Sequence, residues 1–137
     1  MQPNLITDPR HRDVLQELIQ REPIFHRPEF GTSRLDFENM TDPAFWEVGA
    51  SGRRYSREYA IEAVLKRYED PEYRGINSPP ENTWQMKDFH CLEIAPDNYL
   101  LTYTLFQGER ITRRSTIWRR STSGWKILFH QGTIVTL

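Results

Sequence analysis

A single cysteine, Cys91, serves the whole 137-residue chain. No internal disulfide can form, and a reducing compartment is the simplest setting for such a protein. Long apolar runs are missing too. Nothing approaches the ~20 residues that a membrane span needs, and the opening Met1-Gln2-Pro3-Asn4 lacks the basic and apolar regions of a signal peptide. The expected location is therefore cytoplasmic, with no membrane partner. An excess of either charge is absent, with 18 Lys and Arg against 19 Asp and Glu. That removes the general case for a nucleic-acid partner. The local basic pairs Arg113-Arg114 and Arg119-Arg120 fall on a strand, where alternation sends neighbours to opposite faces. The four histidines show no HxH or HExxH spacing and the lone cysteine no CxxC, so metal binding has no support. There is no glycine-rich phosphate loop and no GxSxG elbow, and no cofactor is expected.

What the chain does have is aromatic side chains, 12% of its residues, at a net charge of -1. Disordered chains show the opposite pattern. The length suits one domain, 1–137, able to bury about 70% of its unfolded surface. Trp, Phe and Tyr supply the core volume. The stretch 100–133 organises the rest. Its β-branched and aromatic runs, broken by turns at Gly108 and Ser123-Gly124, form the pattern of an antiparallel meander. A sheet this apolar must be covered, and the upstream helices are the only cover available.

Asp8-Pro9 is a helix start, continued by an apolar stripe of Val14, Leu15, Leu18 and Ile19. Pro23 and Pro28 interrupt the segment after it. Ser33 with Asp36 resembles a capping box opening a short helix to about Met40. Thr41-Asp42-Pro43 ends it, and Phe45-Trp46-Glu47-Val48 reads as a strand. After the Ala50-Ser51-Gly52 turn, Arg53-Arg54-Tyr55 returns as a short partner, making a small hairpin. Ser56 caps a third helix with Ile61, Val64, Leu65 and Tyr68 on one face. Residues 70–82, with Pro71, Gly75, Asn77, Ser78, Pro79 and Pro80, read as a surface loop. Residues 84–94 are strand-like, and Ala95-Pro96-Asp97-Asn98 is a tight turn.

This order resembles the nuclear transport factor 2-like superfamily, and within it the domain of unknown function 4440 group, related to polyketide cyclase-like members. The resemblance rests on Phe45-Trp46-Glu47-Val48-Gly49 with Arg54-Tyr55-Ser56, on Tyr103 with the 114–120 strand after it, and on 124–133. It spans nearly the whole chain. It implies an α+β fold, a cone or cystatin-like roll with three N-terminal helices packed on a strongly bent antiparallel sheet. It also implies a ligand pocket between helices and concave sheet face, and a homodimer paired through the sheet. Isomerases, cyclases, dehydratases, transport adaptors and plain binding proteins all share this superfamily, so the fold alone names no reaction.

Strand alternation sorts the residues able to carry chemistry. On the last strand Trp125, Ile127, Phe129, Gln131 and Thr133 share the more apolar face. That places Gln131 at the pocket and His130 on the outer face. On the preceding strand Arg114, Thr116 and Trp118 share a face, where Arg114 beside Trp118 makes an anion-recognising wall or else pairs with an acid such as Glu47. Glu47, if inward, is a general acid or base through desolvation. Its alternation with Trp46 and Val48 favours outward. Tyr55 and Tyr103 offer phenols to a ligand or serve as core aromatics. His26, at the helix interruption, is a second candidate for proton transfer, or a helix-end cap. His90 and Cys91 face apart, which argues against a catalytic pair.

Together these residues suggest a small-molecule-binding protein, its ligand an organic acid if Arg114 points inward. A cofactor-free enzyme would use Glu47 or His26 for proton transfer on a carbonyl or polyketide-like substrate, with Tyr103 and Arg114 steadying an enolate-type charge. The competing reading is a non-catalytic interaction module, a subunit or inhibitor working through its sheet face.

Overall fold

The computed structural model describes residues 1–70 and 79–136. The expected loop lies partly outside them, with Pro71, Gly75, Asn77 and Ser78. Asp8 caps a short turn, Pro9–His11, by accepting from the Arg10 amide at 2.9 Å, and α1 (Arg12–Ile19) continues directly from it. Ser33 and Asp36 form the full capping box of α2 (Arg34–Asn39). The Ser56 hydroxyl accepts from the Tyr59 amide at the start of α3 (Arg57–Glu69), whose Ala60, Ile61 and Val64 are buried.

The strands are β1 (Thr41–Val48), β2 (Arg54–Ser56), β3 (Gln85–Ala95), β4 (Asn98–Gln107), β5 (Arg110–Ser121) and β6 (Gly124–Ile134). They form one sheet in the order β2-β1-β6-β5-β4-β3. The sheet is mixed rather than purely antiparallel, because β1 runs parallel to β6. In sequence α3 and the rest of the meander separate these two strands, and only so long a connection lets neighbours lie parallel. Residues 41–43, expected only to end a helix, already belong to β1, with Thr41 opposite Ile127.

Register shifts break the ladders between Thr41 and Trp46, between Lys87 and His90, and between Ile117 and Trp118 opposite β6. Such bulges bend a strand and turn its later side chains to the other face. The helices cover one face. Beneath them lies a core rich in aromatics, with Phe25 edge-on to Phe37 and Phe45, and with Tyr99, Tyr103, Trp118 and Trp125 rising from the sheet.

Candidate functional site

The shift between β5 and β6 decides the chemistry of the covered face. Before it, Trp125 and Ile127 are buried under the helices. Past it, Phe129 pairs with Ile117 and His130 with Thr116, so Leu128 is the extra residue and the alternation inverts. His130 therefore points inward, 3% exposed, while Phe129 and Gln131 turn to the open face. The expected placement of both His130 and Gln131 is reversed, for this one-residue reason.

Glu47 also points inward, contrary to the expectation from alternation. Its strand companion on that face is the buried Phe45, whereas Trp46 is 43% exposed and packs on Phe129 at 4.8 Å across the open face. Burial raises the Glu47 carboxyl above its usual range, against the attraction of Arg114 and Arg67. Register then builds a row across the covered face: Tyr55 opposite Glu47, Glu47 beside His130, and His130 opposite Thr116. One step along lies a second row, Gly132, Arg114 and Tyr103.

Behind these rows sits a residue that pattern reasoning missed. Glu22, just after α1, is 0% exposed. Its carboxylate accepts from Tyr103 Oη at 2.7 Å, Trp118 Nε1 at 3.0 Å and the Ile24 amide at 3.2 Å. Burial pushes the carboxyl up, while those donors and the Arg114 charge pull it down. Tyr103 is itself raised well above the ordinary phenol, by burial first and then by the Glu22 charge. The only sequence cue was an acid heading the apolar run Pro23-Ile24-Phe25. Tyr103 and Trp118, read as ligand contacts, thus spend their polar hydrogens on Glu22.

Arg114 is the electrostatic centre. Its charge acts on Glu22, Glu47, His26, Tyr103 and His130. Its Nε is buried and donates to nothing among the described residues. His130 bonds Thr116 Oγ1 through Nδ1 at 2.8 Å, and its buried Nε2 is likewise without a partner there. Burial holds its imidazole well below the usual histidine range. Between the two lies Gly132, itself buried, where an added Cβ meets no described atom within 4 Å. The structure thus leaves room on the covered face beside an orphan donor and an orphan ring nitrogen.

His26 lies on another wall. Its Nδ1 is 2.8 Å from Glu81 Oε1 and its ring stands edge-on to Trp84 at 4.9 Å. Burial first, then the Arg67 charge, lowers it to about 4. A neutral imidazole so placed donates its Nδ1 hydrogen to the carboxylate. Tyr55 stacks on Tyr59 at 5.0 Å near the outer hairpin. Gln131 does line a cleft, of about 690 Å³, where residues 2–5 run over Thr104, Arg113 and Ser115 of the open face and which Tyr103 and Arg114 also border. Cys91 is buried and its thiol is pushed up to about 11, which removes it as a nucleophile. Among the described residues no His, Cys, Asp or Glu group converges as metal ligands do, and no helix is long and apolar enough to cross a membrane.

No protein-family model and no curated protein matches this sequence. Solved structures do match in fold. A nuclear transport factor 2-like protein from Cytophaga hutchinsonii superposes with a TM-score of 0.63 at 14% identity, covering 90% of this chain and 98% of its own. A cystatin-like-fold protein from Caulobacter vibrioides gives 0.62 at 16%, covering 93% and 91%. A candidate ketosteroid isomerase from Parabacteroides distasonis gives 0.62 at 17%, covering 98% of each. At such identities the likeness fixes the fold, which is nuclear transport factor 2-like, and nothing finer.

Proposed function

We propose that this nuclear transport factor 2-like chain binds a small organic acid or carbonyl compound over Gly132, with Arg114 holding its oxygen. The observation that carries this reading is the buried Arg114 Nε, left without a partner among the described residues beside open space. A buried donor left unmade costs ~1–3 kcal/mol, so a ligand oxygen that completes it gains that much in return. The inward, raised Glu47 carboxyl supports a proton-accepting role for it in a cofactor-free reaction of the isomerase, cyclase or dehydratase kind. Gly132→Leu tests the pocket, because its φ lies outside the left-handed region and its Cβ meets nothing. The variant is expected to fold with a Tm close to wild type, yet to lose the ligand-observed NMR signals of small carboxylates and ketones. Equal binding by both proteins would remove the pocket from this place.

The open face supports pairing with a second copy. Leu92, Leu100, Ile117, Phe129 and Trp46 are cross-strand neighbours and form one apolar stripe over five strands. Leu92 is 49% exposed. Beside the stripe runs a row of short or uncharged side chains, Thr102, Ser115 and Gln131, over which a second sheet can approach closely. An apolar stripe this wide marks an interaction surface. Trp46→Glu is expected to convert a dimer to a monomer in size-exclusion chromatography with light scattering. A wild-type monomer at high micromolar concentration would leave the stripe to a different protein partner.

A further inference from the structure

Resting on that pocket, the unused hydrogen-bonding atoms specify its ligand more narrowly. Thr116 is fully buried, and its hydroxyl bonds His130 Nδ1. A hydroxyl has one hydrogen to give. Its oxygen accepts as well, so the 2.8 Å contact to His130 runs in whichever sense the other ring nitrogen allows. A neutral imidazole with its hydrogen on Nδ1 carries a bare lone pair on Nε2. The opposite tautomer would bury an N–H with no acceptor, which is the rarer and costlier defect. Nε2 is thus an acceptor, buried and unmatched, and Arg114 Nε is a donor in the same condition among the described residues. Arg114 lies directly opposite Gly132, and His130 is two residues before it on the same strand and face.

We propose that the pocket takes a hydroxy acid, its carboxylate on Arg114 and its hydroxyl donating to His130 Nε2 across the space above Gly132. An ammonium would also donate to Nε2, but the Arg114 guanidinium, already felt at His130, disfavours a second cation there. Thr116 acts as a positioning residue: its oxygen takes the Nδ1 hydrogen, fixes the ring and touches no ligand atom.

The probes are 3-hydroxybutyrate, butyrate, 3-methoxybutyrate and 3-aminobutyrate, titrated by NMR at millimolar concentration. 3-Hydroxybutyrate is expected to bind roughly tenfold or more tighter than the other three, because each of those loses the neutral donor. Equal affinity for butyrate or 3-methoxybutyrate overturns the hydroxyl assignment and leaves the acid pocket standing. Preference for 3-aminobutyrate overturns the exclusion of a cationic donor. No binding by any probe sinks the pocket itself and this inference with it. A second readout is independent of ligand. The ¹⁵N spectrum of the histidine rings is expected to show His130 protonated at Nδ1 only, and the reverse tautomer overturns the assignment of Nε2 as acceptor. In Thr116→Val, which keeps the side-chain shape, the hydroxyl preference is expected to vanish while butyrate binding persists. Unchanged preference would mean that Thr116 does not set the ring.

Discussion

Glu22→Ala is expected to destabilise the protein by about 3–5 kcal/mol, the cost of removing one member of a buried, hydrogen-bonded charge network. Two side-chain donors lose their acceptor at once, Trp118 Nε1 and Tyr103 Oη. Neither can turn to water, since Trp118 and Tyr103 are each 2% exposed. The loss also unties the segment after α1 from β4 and β5, because the same carboxylate caps the Ile24 amide. The midpoint of thermal unfolding, read by circular dichroism, is expected to drop by roughly 10 °C or more. The effect has a pH signature. Glu22 is raised by burial, so between the ordinary glutamate value and its raised one the folded state holds a proton that the unfolded state has lost. Over that window Glu22 contributes less stability as pH rises. The gap between wild type and Glu22→Ala is therefore expected to be full at and below the ordinary value of 4.5 and to narrow above it. A gap that widens with pH, or a Tm within a few degrees of wild type, would refute the network's structural role.

Arg114→Leu is expected to weaken binding of 3-hydroxybutyrate roughly 10- to 100-fold, the range of a lost hydrogen bond to a charged group. Removing this cation takes away the attraction that holds down both Glu47 and Glu22, so each carboxyl rises further, and it takes away the charge that draws an anion to Arg114's place. Arg114→Lys separates charge from geometry. Lysine restores the charge but has no Nε hydrogen in a planar fork, so it is expected to recover only part of the affinity. Isothermal titration of the three proteins reads the difference. Full recovery in the lysine variant would show that the orphan Nε plays no part, and unchanged affinity in Arg114→Leu would place the carboxylate elsewhere.

Much of the fold was legible in the sequence because its signals are local. Ser33 with Asp36, Ser56, and the Ala95-Pro96-Asp97-Asn98 turn each specify geometry within four residues. That Thr112, Arg114, Thr116 and Trp118 share one face of β5 was legible for the same reason, but not that this face is the covered one. The site was not, because each of its errors depends on a partner strand. No property of Leu128 announces that it is the extra residue opposite Ile117 and Trp118, so the inversion that buries His130 is invisible along the chain. Trp46 is as apolar as Phe45, and only the packing of Trp46 on Phe129 reveals which of the two is outside. Glu22 resembles any surface acid until Tyr103 and Trp118, far along the chain, close over it.

Leu128 also makes β6 a strand with two alternative readings. Were the bulge ironed out with Leu128 kept in the ladder, the same strand would run in continuous alternation, with Phe129, Gln131 and Thr133 under the helices and His130 on the outside, whereas losing Leu128 would leave His130 where it is. The pocket would exchange an imidazole for an amide and gain a phenyl ring, without a substitution anywhere in the chain. Chains of this shape can therefore change what they hold by a slip of register as readily as by a change of residue, and comparing them position by position would miss it.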